Sequence, residues 1–199
     1  MLDLGNSFLS SVERDPQALA IVDGPVRLSY TQWYRRVSAI VSSFDELGLR
    51  PGEHLITLLQ NRWEAATLHW ACQFTGIIST PINWRAKADE IDYCVENCGA
   101  KAIVFEAVSA NQVRHSREAT ASKRIAVDSP QDDEIPFQTM IECDAAEAAP
   151  RMGADAWSIM LYTSGTTAKP KGVPRRHFAE RTAAIAHVAQ NQYGYGERT

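Results

Sequence analysis

Trp157-Ser158-Ile159-Met160-Leu161-Tyr162-Thr163-Ser164-Gly165-Thr166-Thr167-Ala168-Lys169-Pro170-Lys171-Gly172 is the stretch on which the reading of this chain turns. Its first six residues form a short apolar run that predicts a buried strand. The next ten positions hold four hydroxyl residues, two glycines and two lysines. That composition, directly after a strand, suits a loop that grips an oligophosphate. Glycine lets the backbone turn tightly and approach an anion, and neighbouring N–H groups and hydroxyls then donate to several oxygens. Lysines add charge-assisted contacts, each contributing on the order of 1.5–3 kcal/mol. No acidic residue lies between Asp155 and Glu180, whereas Lys169, Lys171, Arg175 and Arg176 all do. The segment is neither a Walker A loop nor a GxGxxG dinucleotide fingerprint. The same letters also suit a flexible surface turn, since Gly and Thr are common in loops. Past Val173 and Pro174 a helix is expected to begin near Arg176-His177 and to run through Ala183, Ile185, Ala186 and Val188.

Upstream of this stretch, strands and helices alternate. Ala18–Val22, ended by Asp23-Gly24-Pro25, predicts a strand and turn of a hairpin. Thr31 is a candidate N-cap for a helix whose apolar face is Tyr34, Val37, Ile40, Val41, Phe44 and Leu47, closed by Gly48. Leu55–Leu59 predicts a strand, and Asn61 with Glu64 resembles a capping box opening a helix through Phe74. Gly76–Thr80 returns as a strand, and Glu90, Ile91, Val95 and Cys98 mark a helix closed by Gly99. Ala102–Phe105 and Arg124–Val127 are further strands. Strands and helices at this spacing imply right-handed crossovers. The predicted class is α/β, with a mostly parallel sheet flanked by helices.

Composition narrows the function classes. The chain has 199 residues, 45% apolar and 22% charged, with a formal net charge of −4. An acidic balance argues against a general binder of nucleic acid or anionic membrane. No run of about 18 apolar residues predicts a membrane span, and Met1-Leu2-Asp3-Leu4 has no secretory n-region. Cys72, Cys94, Cys98 and Cys143 match no common zinc spacing, and the five histidines form no HExxH or HxH pattern, so no metal site is expected. Cys94 and Cys98 share one helical face, which suits small buried side chains or a metal half-site. Unpaired cysteines fit a reducing, cytoplasmic location. Trp33, Trp63, Trp70, Trp84 and Trp157 are expected in core and interface contacts rather than in a substrate site. Residues 1–128 read as an α/β subdomain, 129–155 as an acidic, solvated connector with a short helix, and 156–199 as strand, phosphate loop and helix.

The run Tyr162–Val173, with His177 downstream, closely resembles the phosphate-loop motif of the adenylate-forming superfamily of acyl- and aryl-CoA synthetases, peptide-synthetase adenylation domains and luciferases. Leu28-Ser29-Tyr30-Thr31, Leu47-Gly48-Leu49-Arg50-Pro51-Gly52-Glu53, Pro81-Ile82-Asn83-Trp84-Arg85 and Cys98-Gly99-Ala100-Lys101 stand where such ligases carry similar stretches. The resemblance covers nearly the whole chain and points most to the CoA-ligase branch. It implies the first subdomain of the large N-terminal domain of such an enzyme, acting with ATP, Mg²⁺ and coenzyme A on a small carboxylic acid. Thr163, Ser164, Gly165, Thr166, Thr167, Lys169, Lys171 and Gly172 would then hold the β- and γ-phosphates, with Lys171 and His177 in catalytic roles and His177 near the carboxylate. An adenylation module that loads a carrier protein, or a noncatalytic nucleotide- or partner-binding remnant, are the alternatives. Two departures stand out. Ala168 replaces a usual glycine, which costs roughly 1 kcal/mol if the loop there is left-handed. In addition, the adenine-binding and Mg²⁺-coordinating motifs and the C-terminal domain with its catalytic lysine have no counterpart before Thr199, so an N-terminal portion inactive alone is expected. Its partners would be the remainder of the same enzyme and, in a homo-oligomer, further copies of it.

Overall fold

In the computed structural model, residues 3–163 and 169–194 are described. The chain opens with helix α1 (Leu4–Arg14) and the hairpin of β1 (Leu19–Asp23) and β2 (Val26–Ser29). Next come α2 (Tyr30–Glu46), β3 (His54–Leu58), α3 (Trp63–Thr75), β4 (Ile78–Pro81) and α4 (Ala88–Cys98). The middle section is β5 (Ala102–Phe105), α5 (Ala107–His115), α6 (Arg117–Thr120), β6 (Lys123–Ala126), β7 (Ile135–Pro136) and α7 (Phe137–Ile141). The last elements are β8 (Trp157–Thr163), β9 (Lys171–Arg176) and α8 (His177–Asn191).

Seven strands form one sheet in the order β7-β6-β5-β3-β4-β8-β9. Every neighbouring pair is parallel except β8 and β9. The α/β class with a mostly parallel, helix-flanked sheet is therefore observed. Consecutive residues of a strand face opposite sides of the sheet, and the core divides accordingly. Leu55, Ala102, Val104 and Ile125 join one cluster with Phe8 of α1, Val37, Ile40 and Phe44 of α2, Leu68 and Phe74 of α3, and Phe137 of α7. Ile56, Ile103, Phe105 and Ala126 join the other, with Ile91 and Val95 of α4, Val113 of α5 and Ala119 of α6. Both faces are covered, which is why these strands read as continuous apolar runs rather than alternating ones.

Several local expectations shift. The N-cap of α2 is Ser29, not Thr31: Ser29 and Gln32 form a reciprocal capping box, while the Thr31 hydroxyl donates to the Pro16 carbonyl. Asn61 and Glu64 form no capping box, because α3 starts at Trp63, whose N–H donates to Asp23 Oδ2 at 2.9 Å. Glu64 instead joins Arg62, Glu106 and Asp128 in an ion cluster beside the ends of β3, β5 and β6. Arg62 draws the Asp128 carboxyl below its usual range. The acidic segment 129–155 is less solvated than its composition suggests. Phe137 and Met140 are buried, and the Glu134 side chain is enclosed and ion-paired to Arg114 at 2.8 Å. The segment is also tied to α2, with Tyr34 Oη donating to the Ala148 carbonyl at 2.6 Å and Arg151 paired with Asp45 at 2.6 Å.

Three tryptophans behave as expected: Trp33, Trp63 and Trp70 sit in or against the first core cluster, Trp33 and Trp70 crossing Phe8 at ring-centroid distances of 5.2 and 4.9 Å. Trp84 and Trp157 lie further out, each beneath an arginine, at 3.9 Å from Arg85 and 4.7 Å from Arg176.

Candidate functional site

Strand β8 runs parallel to β4, so its C-terminal end emerges at the carboxyl edge of the sheet, where open α/β sheets place their ligands. The strand it feeds, β9, was not anticipated. A segment of Lys, Pro and Arg lacks the apolar alternation that signals a strand, but an outermost strand tolerates Pro174 and the charges. The glycine–threonine–lysine segment is thus the connection of an antiparallel hairpin. Thr163 faces Lys171 across its mouth, Tyr162 faces Gly172, and the ladder continues to Trp157 opposite Arg176.

Thr163, Lys169, Lys171 and Gly172 come together at this mouth, and the first three are exposed. The Thr163 hydroxyl donates to the Lys171 carbonyl at 3.4 Å. At Gly172 an added Cβ would lie 2.8 Å from Met160 Sδ and at ordinary contact distance, 3.5 Å, from the Tyr162 ring, so glycine leaves room for the Met160 thioether. Ser164, Gly165, Thr166 and Thr167, together with Ala168, lie outside the described residues. The hydroxyl of Tyr162 donates to Asn97 Oδ1 at 2.8 Å, and burial raises its pKa. Two of the four cations are engaged elsewhere. Arg175 pairs with Glu180, and Arg176 lies over Trp157. The positive charge at the mouth is that of Lys169 and Lys171.

His177 is not brought to the loop. It begins α8, where the six-residue β9 returns to the amino edge of the sheet, about 20 Å of strand away. Its side chain is fully enclosed. The Leu4 N–H donates to Nδ1 at 3.3 Å, and the His177 N–H donates to the Ala156 carbonyl at 3.1 Å. Because Nδ1 accepts, the ring hydrogen sits on Nε2, which has no hydrogen-bond partner among the described residues. Burial pushes the His177 pKa down, partly opposed by the Asp3 carboxylate. His69 on α3 is pushed down to about 4 by burial and by the neighbouring His177.

Sequence reasoning missed Tyr93. From α4 its hydroxyl donates to the Pro170 carbonyl at 2.9 Å, and its ring lies 5.0 Å from Lys169 Nζ. The first contact joins positions 77 residues apart in sequence and the second reaches the immediate neighbour of Pro170, so no local pattern could have shown them. Cys94 and Cys98 share α4 as free thiols, and burial pushes Cys94 up to about 11, far from a reactive thiolate. No three His, Cys, Asp or Glu side chains cluster to hold a metal among the described residues, nor is any helix there long and apolar enough to cross a membrane.

Comparison with known families gives a match over residues 8–198 to the family described as AMP-binding enzyme. The chain belongs to that family. Among curated AMP-binding relatives it is similar to a feruloyl-CoA synthase from Amycolatopsis sp., 28% identical over 177 residues, which cover 87% of this chain and 33% of that protein. It is likewise similar to the long-chain-fatty-acid–CoA ligase FadD13 of Mycobacterium tuberculosis, 27% identical over 173 residues, with 87% of this chain and 34% of that protein covered. In fold it resembles the inhibitor-bound N-terminal domain of FACL13 from Mycobacterium tuberculosis, with a TM-score of 0.83 at 24% identity, covering 95% of this chain and 48% of that one. The chain spans about a third of the length of the curated relatives it matches.

Proposed function

We propose that this chain is the front portion of an ATP-dependent carboxylic acid:CoA ligase and that its β8–β9 connection holds the leaving pyrophosphate of ATP. One observation carries the reading: a Thr/Ser/Gly/Lys segment leaves a parallel strand at the carboxyl edge of the sheet, with two lysines at its mouth, in a chain whose relatives include CoA ligases. In the first step a carboxylate oxygen attacks the α-phosphorus of ATP. The bond from that phosphorus to the bridging oxygen breaks, and pyrophosphate leaves with its electron pair. In the second, the thiol of coenzyme A adds to the acyl carbon and AMP departs, giving the thioester.

Thr163, Lys169 and Lys171, with Ser164, Gly165, Thr166, Thr167 and Gly172 completing the turn, would hold the β- and γ-phosphates. Their work is positioning and neutralisation of charge on the departing oxygens. Mg²⁺ would supply further neutralisation, and we assign it no ligand in this chain. His177 sits at the other edge of the sheet, its side chain enclosed and its Nδ1 taken by the Leu4 N–H, so we give it no part in holding the phosphates.

Exchange of labelled pyrophosphate into ATP, measured on the full-length enzyme with its acid, tests the loop. Replacing the exposed Lys171 by Ala should lower exchange about 30-fold, the equivalent of one lost charge-assisted contact, and leave the melting temperature unchanged. Unaltered exchange in Lys171→Ala removes the loop from the reaction.

A further inference from the structure

We propose that Tyr93 is a positioning residue for the phosphate loop, with its phenol ring and hydroxyl together fixing the Lys169-Pro170 shoulder from α4. The proposal rests on the reading of that loop as the pyrophosphate grip. Helix α4 is a firm base for such a prop, because Ile91, Cys94 and Val95 bury its inner face against the sheet. Three ties run from it to the hairpin. The Tyr93 hydroxyl donates to the Pro170 carbonyl at 2.9 Å, the Lys169 ammonium stands 5.0 Å above the Tyr93 ring, and the Tyr162 hydroxyl donates to Asn97 Oδ1 at 2.8 Å.

The chemistry of these ties suits an anion site. Proline has no N–H, so residue 170 offers the helix only its carbonyl, and the Tyr93 hydroxyl takes it. A ring face attracts an ammonium through its charge rather than through a hydrogen-bond acceptor, so Lys169 is held in place with N–H donors left for an anion. A free lysine side chain would lose its rotamer freedom each time it engaged a phosphate. One already seated on a ring has lost part of it beforehand. Tyr93 thus acts through Lys169 and the loop backbone and does not touch the nucleotide.

The test combines kinetics of the full-length enzyme with a spectrum of this chain. Tyr93→Phe keeps the ring and loses the hydrogen bond, whereas Tyr93→Leu loses both. The KM for ATP in pyrophosphate exchange should rise about threefold in Tyr93→Phe and about tenfold in Tyr93→Leu, with kcat changed less than twofold. Lys169→Ala should cost less in the Tyr93→Leu background than in the native one, since the two residues act as a unit. In proton spectra of this chain, the ring should shift the Lys169 ε-methylene signals upfield, a displacement kept in Tyr93→Phe and lost in Tyr93→Leu. Unshifted Lys169 signals in the native chain would overturn the proposal. So would an unchanged KM in Tyr93→Leu while Lys171→Ala impairs exchange. If Lys171→Ala is also silent, the phosphate reading itself fails, and this inference with it.

Discussion

The middle of the sheet and its β8–β9 edge are built in opposite ways. All four residues of β5 are buried, as are four of the five in β3. At the other extreme, His177 is the one residue of α8 that is buried, while Ile185 and Val188 stand 53% and 48% exposed. The centre is a two-sided apolar core. The edge is a hairpin and a helix fastened at separate points. Among them are parallel pairing of β8 with β4, the Ser158 hydroxyl on Gln73 Oε1 at 2.6 Å, the ties that Tyr93 and Tyr162 make between the hairpin and α4, Arg181 on Ser7, and His177 under Leu4. Stability is therefore concentrated where no chemistry is proposed, and the proposed chemistry sits where substitutions leave the core intact.

The largest expected effect tests the centre. Phe74 is fully buried between Phe8 and Tyr34, at ring-centroid distances of 5.9 and 6.0 Å. Phe74→Ala should cost about 3–5 kcal/mol, the usual penalty for truncating a core aromatic. Urea unfolding of this chain measures it. A loss below about 1 kcal/mol would mean that the centre is no better packed than the edge.

The seam between the two regions is titratable. His69 on α3 and His177 at the start of α8 are both held neutral by burial. For His69 the unfolded chain takes up a proton near pH 6.5, whereas the folded chain takes it up only near 4. Between those values the unfolded state binds more protons, so stability falls as pH falls through this window and levels off below it. The His69 contribution to that loss is about 3 kcal/mol. His177 adds a loss of the same sign. Asp45, Asp128 and Glu134, all drawn down by their arginines, add theirs at lower pH, below the ordinary carboxylate range. Urea midpoints taken between pH 7 and pH 4 should drop steeply in the native chain and much less in His69→Gln. Equal slopes would place the acid sensitivity elsewhere.

What the sequence revealed follows the same division. The central strands and α2 were legible because burial on both sheet faces, or along one helix stripe, writes itself as runs and periodic apolar residues. The Thr/Ser/Gly/Lys segment stood out by its composition as a candidate anion loop. Helix α1 was missed although Leu4, Phe8 and Val12 recur at helical spacing along its packed face. Strand β9 was missed because an outer strand need not alternate. The positions of Tyr93, His177 and the Arg62 cluster rest on contacts between residues distant in sequence. The expectation for His177 came from the resemblance, which set it near the carboxylate, and not from any pattern in its own surroundings. A six-residue strand is long enough to carry it from one edge of the sheet to the other.

The smallest expected effect tests the edge itself. Ile185 and Val188 on α8, with Leu4, Phe8 and Trp70, line an apolar cavity of about 610 Å³ between α1 and α8. Because Ile185 is more than half exposed, trimming it removes few contacts. Ile185→Ser should change stability by no more than about 0.5 kcal/mol in this chain, as is usual for surface positions. The same substitution in the full-length protein is the informative comparison. Equal, near-zero effects in both would mean that the α8 face stays open to water. A loss of about 1–2 kcal/mol confined to the longer protein would mean that chain beyond these residues covers it. A loss of that size already in this chain would show that α8 is bound to the core as firmly as the central strands are, and the contrast between centre and edge would not survive.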